Sequence, residues 1–189
     1  MTGKTHMLFG SVASLYLLPK LGYEPDISTT VAALLGSLIP DMDHPRAKIN
    51  QKILPIKNKQ GKILFYSGIS LFLLFRYGLN NQSAISTAIL LIIIAFSKHR
   101  SFTHSLLGIF AISFTSLFAL EHITSYETIC SLIIGLISHL IGDFLTISGI
   151  PLFYPFFKKR YNFVFIMSSS KLAEPIICVF LIFSIFYLT

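Results

Sequence analysis

Five of the six histidines and three of the four aspartates of the chain fall into four short clusters. The first is Thr5-His6. The second, Asp41-Met42-Asp43-His44-Pro45, follows an apolar run that ends at Pro40. The third is His99-Arg100-Ser101-Phe102-Thr103-His104-Ser105, and the fourth is His139-Leu140-Ile141-Gly142-Asp143. Neutral imidazole and ionised carboxylate are the donors that suit a divalent metal, zinc first, with manganese or iron open to the same set. His139 and Asp143 are four apart, one turn along one helical face. Counted together, His6, Asp41, Asp43, His44, His99, His104, His139 and Asp143 exceed what one structural zinc needs, so two or more ions fit the set. Paired cations favour an in-line displacement at phosphorus. Arg100 offers a bidentate grip on a phosphate oxygen. Thr103 and Ser105 are cap residues for the helix that follows. The free N–H groups and positive dipole end of that helix extend the phosphate subsite. The expected chemistry is therefore phosphoester hydrolysis, with Asp43 as the general base. The chain has no GxSxG, HExxH or P-loop.

Each cluster alone has a plainer reading. His6 suits a membrane interface, Asp41–His44 a polar turn, and Lys98 and Arg100 interfacial anchoring. His139 and Asp143 suit an interhelical hydrogen bond. It is their joint placement that points to a site. Cys130 and Cys178 lie in apolar runs, outside any CxxC pattern, and read as small buried hydrophobes.

The elements that must position these clusters are hydrophobic. Of 189 residues 53% are hydrophobic, 14% aromatic and 12% charged, and mean hydropathy is +0.73. Ordinary soluble domains carry about 25% charged residues. That composition excludes a disordered chain, a disulfide scaffold and a separate soluble catalytic domain. It predicts one membrane-embedded domain over residues 1–189, an all-α polytopic transmembrane bundle of six to seven helices. The charge-free runs place spans at 5–21, 27–40, 63–79, 82–97, 105–120, 127–143 and 172–188. The run 144–157 holds Gly149, Pro151 and Pro155 and reads as a re-entrant or interfacial segment. The first span reads as a retained helix, because its small-residue triplet Ser11–Ala13 lies inside the apolar core.

Alternating these spans gathers 13 of the 15 Lys and Arg on one face, leaving Lys20 and Arg76 elsewhere. The positive-inside rule makes that face cytoplasmic and puts the amino terminus inside. All four His/Asp clusters then land at cytoplasmic helix ends, although histidine played no part in setting the topology. His122, beside Glu121, falls at the other face and reads as a surface residue. The basic loop 46–62 suits anionic lipid headgroups, so membrane lipid is the expected partner and direct nucleic-acid binding is not.

At these motifs the chain resembles the YdjM family, described as LexA-binding, inner-membrane-associated metal-dependent hydrolases. The resemblance rests on Thr5-His6, on Gly36-Ser37-Leu38-Ile39-Pro40-Asp41-Met42-Asp43-His44 and on His99–Ser105. It continues through His139–Asp143, followed by Thr146, Gly149 and Pro155. It implies a multi-pass protein of a bacterial inner (plasma) membrane and a metal-dependent hydrolase. The site implied is His6, Asp41, Asp43, His44, His99, His104, His139 and Asp143. The family description also implies a cytoplasmic partner, the SOS-response repressor LexA, and with it the alternative of a non-enzymatic anchor for that regulator. More remotely, a His/Asp order ending in HxxxD is similar to zinc phospholipase C and P1 nuclease. The amino-terminal ligand of those proteins has no counterpart here, because His6 stands five residues after Met1. A transporter with a His/Asp relay would place its site near the midplane, often between repeats; the clusters gather at one face instead. A lipid phosphatase would need a Pro-Ser-Gly-His motif, which the chain lacks.

Overall fold

The computed structural model describes residues 2–163 and 173–188. Among these the chain is all-α, with α1 (Gly3–Leu17), α2 (Ile27–Gly36), α3 (Lys48–Ile53), α4 (Lys59–Tyr77), α5 (Gln82–Phe96), α6 (Leu106–Leu120), α7 (Tyr126–Phe144) and α8 (Ala173–Leu188). Three 3-10 segments, Pro19–Leu21, Ile39–Asp43 and Phe102–His104, join them.

The helices begin where a side chain can satisfy an orphan N–H. Asp26 accepts from the Thr29 amide and the Thr29 hydroxyl accepts from the Asp26 amide, a complete capping box. Asn58, Asn81, Ser105 and Ser125 cap α4, α5, α6 and α7 in the same sense. Two expected spans shift for local reasons. The 27–40 run stops being α-helical at Gly36, because Pro40 disfavours helical backbone at the residue before it and supplies no N–H. The 63–79 run starts earlier, at Lys59, because Asn58 caps a polar first turn that hydropathy does not register. The expected start of the last span, at 172, lies outside the described residues.

Packing divides into two groups. α2 lies against α7 and α1 crosses both, with backbones close enough that a Cβ on Gly36 would sit 2.0 Å from the Leu132 carbonyl oxygen. A Cβ on Gly135 would sit 2.2 Å from that of Ala33. α4 and α5 form a hairpin, α6 bridges α5 and α7, and α8 runs beside α1. The run 144–157 is irregular, as its glycine and prolines predict. Its middle is covered by protein, while Ile147, Phe153, Phe156 and Phe157 are exposed: Ile150 is fully buried among Ile109, Ile112, Leu136 and Leu140, and exchanges backbone hydrogen bonds with Tyr161. The Leu152 carbonyl accepts from the Leu106 amide at the start of α6.

Many large apolar side chains face outward, among them Phe72, Phe75, Phe110, Phe114, Phe180 and Phe183. A surface of that kind belongs in lipid or against a partner. Among the described residues, α7 is the one helix both long and apolar enough to cross a bilayer; Gln82–Phe96, Leu106–Leu120 and Ile176–Ile185 are apolar but shorter.

Candidate metal centre

Element ends deliver every candidate donor to one pole of the bundle. His6 lies near the start of α1, and Asp41 and Asp43 in the 3-10 segment after α2, with His44 behind them. His99 and Arg100 occupy the turn after α5, His104 precedes α6, and His139 and Asp143 close α7. His6, Asp43, His104, His139 and Asp143 are at most 2% exposed. A polar pocket of about 120 Å³ opens between His6, Asp41, His44, His99, Arg100 and Asp143. Charged and imidazole groups buried this deeply need partners, and here they face one another.

The hydrogen bonds settle two tautomers. His139 Nδ1 lies 2.6 Å from the Ser37 carbonyl oxygen, which can only accept, so Nδ1 carries the proton. The Thr103 hydroxyl donates to Asp43 Oδ2 at 2.6 Å, and its oxygen lies 3.0 Å from His104 Nδ1. With the hydroxyl proton committed to Asp43, His104 Nδ1 is the donor. Burial above all, then the nearby His139, pushes the His104 pKa well below its ordinary value and keeps that ring neutral. Both rings therefore present a bare Nε2 lone pair, and the two Nε2 atoms face each other at 3.3 Å.

Two carboxylate oxygens join them. His104 Nε2 lies 3.5 Å from Asp143 Oδ2 and 3.7 Å from Asp41 Oδ1. His139 Nε2 lies 3.8 Å from Asp41 Oδ1 and 3.9 Å from Asp143 Oδ2. Four acceptor atoms thus crowd together, with the Nε2–Nε2 pair at 3.3 Å and each Nε2 at 3.5–3.9 Å from both carboxylate oxygens. A tetrahedral metal with donors about 2.0–2.2 Å from the ion has edges of about 3.3–3.6 Å. Facing lone pairs repel in an apolar surround, and a divalent cation held by the two Nε2 atoms and a neighbouring carboxylate oxygen would relieve that repulsion. His6 adds donors at the same place: its ring stacks on His139 at 3.9 Å, its Nε2 lies 3.3 Å from Asp143 Oδ1, and its buried Nδ1 has no hydrogen-bond partner. By the looser measure of donor atoms within 4.8 Å of one another, His6, His139 and Asp143 form one group able to hold an ion, and Asp41, His99 and His104 another.

Asp43 sits behind this cluster. Its Oδ1 accepts from His99 Nδ1 at 2.9 Å, and its Oδ2 accepts from the Arg100 amide at 3.1 Å as well as from Thr103. With those donors on it and no share in the pocket lining, the carboxylate has no open approach to a water in the pocket. Its geometry is that of a group that orients His99 and, through Thr103, His104. Arg100 holds a left-handed backbone (φ 56°), uncommon for a bulky residue. That twist turns its amide onto Asp43 while its guanidinium Nη2 reaches Asp143 Oδ2 at 3.3 Å. Burial and the neighbouring His99 push the His44 pKa down.

Three expectations need correction. Thr103 and Ser105 are fully buried and do not line the pocket; Thr103 bonds Asp43, and Ser105 caps α6 by accepting from the Gly108 amide. Neither is placed to touch a substrate, and the Leu106 amide is taken by Leu152. Lys62, counted among the interfacial cations, is 2% exposed and donates to the carbonyls of Asp43 (2.6 Å), Ser97 (2.9 Å) and Ile94 (3.1 Å). The free thiols Cys130 and Cys178 are half-buried rather than enclosed. His122 is, as expected, on the surface beside Glu121.

The site also has a scaffold that the motifs did not reveal. Asn50 donates to the carbonyls of Met42 and His44, both at 2.8 Å, and accepts from the Tyr66 hydroxyl at 2.5 Å. With Lys62, this clamps the backbone of 42–44 from outside. The available signal was slight: Lys62 and Tyr66 stand one turn apart where the charge-free run of α4 opens.

Fold and pocket together define an all-helical protein whose element ends converge imidazole and carboxylate into a buried cluster able to hold a metal ion. The chain belongs to the YdjM inner membrane protein family, whose family model matches residues 1–189. It is 30% identical over 155 residues to YvsG of Bacillus subtilis, covering 82% of this chain and 74% of that one. It is 25% identical over 162 residues to the inner membrane protein YdjM of Escherichia coli, covering 82% of this chain and 66% of that one. No solved structure matches.

Proposed function

We propose that the protein is a multi-pass inner-membrane hydrolase of phosphoesters that depends on a divalent metal, with the amino terminus and the polar pocket at the cytoplasmic side. The observation that carries this reading is the close approach of acceptor atoms from Asp41, His104, His139 and Asp143, drawn from three separate stretches of chain. Those four residues would hold the first ion, zinc by donor type, with His6 and His44 left as donors toward a second. A divalent ion there supplies Lewis acidity at a phosphoryl oxygen and acidifies water. Arg100 binds a second phosphoryl oxygen and balances the charge gathering on phosphorus. His99, oriented by Asp43, takes a proton from the attacking water and returns one to the departing alkoxide. Oxygen from water bonds to phosphorus, the ester P–O bond breaks, and the alcohol leaves protonated. Short helices of about 15 residues would cross where the bilayer thins or where their 3-10 extensions add length.

Elemental analysis of the full-length protein in detergent tests the metal first. At least one zinc per chain is expected, falling about tenfold in His104→Ala and Asp143→Ala. Release of phosphate or alcohol from a phosphoester panel then tests the reaction. Metal-free wild type with undiminished thermal stability would overturn the reading.

A further inference from the structure

A second concavity lies on the lipid-facing side of the same helix that carries His6. α1 and α8 run parallel, pinned at the pocket end by a contact of 3.7 Å between Thr5 Oγ1 and Cys178 Sγ. Beyond that contact the two helices leave an apolar groove of about 620 Å³. Phe9, Val12, Ala13 and Leu17 line it from α1, and Phe183 and Tyr187 from α8. Its near end, at Phe9, is less than one turn from His6, a residue of the polar pocket. From Phe9 to Leu17 the groove follows α1 for about 12 Å, at a rise of about 1.5 Å per residue.

We infer that this groove seats an acyl chain of a membrane phospholipid whose phosphate lies in the polar pocket, which makes the substrate class a lipid phosphoester. The inference rests on the phosphoester reading and names its organic half. Three features commit the groove to that occupant. A polar pocket holding Arg100 and the candidate metal donors lies within one turn of α1 from an apolar trough, the division of polarity within one phospholipid. The groove runs along the helices, the direction in which an acyl chain lies, and it opens outward in an inner-membrane family. Exposed Arg46, Lys48 and Lys52 follow His44 and surround the pocket end with positive charge suited to anionic headgroups.

The test uses full-length protein in mixed micelles with phosphatidic acid carrying a diazirine near the end of one acyl chain. After irradiation, adducts are expected on residues 9–17 and 180–187, competed by unlabelled phosphatidic acid. Ala13→Trp, which fills the groove, should lower that labelling about tenfold, and the milder Ala13→Leu by less, with metal content unchanged in both. Adducts spread evenly over the outward faces of α4, α5 and α6 would overturn the inference. So would labelling indifferent to Ala13→Trp, or a groove shielded by a second copy of the chain. Groove labelling without hydrolysis of any phosphoester would keep the lipid seat and remove the hydrolase. Hydrolysis of a soluble phosphomonoester with no groove labelling would do the reverse.

Discussion

At the scale of single residues the site is a chain of orientations. Asp43 fixes the Thr103 hydroxyl, Thr103 fixes His104 Nδ1, and that leaves His104 Nε2 bare toward His139, Asp41 and Asp143. Thr103→Val keeps the volume and removes the relay. Metal affinity is expected to fall about 10- to 100-fold, read by competition with a chelator; unchanged affinity would show that His104 needs no such partner. Lys62 acts one layer further out. In Lys62→Met the carbonyls of Asp43, Ile94 and Ser97 lose their donor, at about 1–3 kcal/mol for each buried carbonyl left unpaired. A lower melting temperature together with lost metal is expected, whereas exposed Lys59→Met should stay within about 0.5 kcal/mol of wild type. The gathering of these His and Asp side chains was legible in the sequence because imidazole and carboxylate stand out by type in an apolar chain. Lys62 and Asn50 were not, because they act on backbone carbonyls, and no residue type marks a carbonyl in need of a donor.

At the scale of elements the histidines depend on how closely helices approach. Gly135 lies one turn before His139 on α7, and its missing Cβ admits the Ala33 carbonyl of α2. Gly36 makes the reciprocal approach to Leu132, one residue before Ser37, whose carbonyl sets the His139 tautomer. Gly135→Ala places a methyl 2.2 Å from a backbone oxygen, which no side-chain rotation relieves. Separation of α2 from α7, a loss of about 1–3 kcal/mol and a matching loss of bound metal are expected from thermal melts with and without zinc. If the melts match wild type in both conditions, the α2–α7 contact does not hold the site. Helix existence was legible from charge-free runs, since burial and lipid both select apolar side chains. The ends of α5, α6 and α7 were legible to within one residue, but those of α2 and α4 were not, because Pro40 at the end of an apolar run stops the α-helix short and Asn58 extends a helix into polar sequence, and hydropathy is blind to both.

At the scale of the whole molecule the bundle is bipolar. One pole holds the start of α1, the ends of α2, α5 and α7, and the starts of α4 and α6, with Asp41, Asp43 and Asp143 gathered among the cations of the chain. The other pole holds the turns 18–26, 78–81 and 121–125, and within or beside them fall Lys20, Arg76, Glu24, Asp26, Glu121 and Glu127. This asymmetry is what the positive-inside rule acts on, and it is why the orientation and the location of the site are one question. If the cationic pole is cytoplasmic, the proposed phosphoester substrate would come from the inner leaflet. If it is not, the same pocket faces the other compartment and the substrate pool changes. Single cysteines decide this in a background with Cys130 and Cys178 replaced by alanine. Lys57→Cys, on the exposed basic loop, should react with a membrane-impermeant maleimide only in inside-out vesicles. His122→Cys, on the exposed turn of the opposite pole, should react only in intact right-side-out cells whose outer barrier has been opened. Labelling of both positions from one side would mean that α4, α5 and α6 do not each carry the chain across, since an even number of crossings then separates the two positions. Reversed labelling would keep the bundle and the His/Asp cluster but move the proposed chemistry to the outer face.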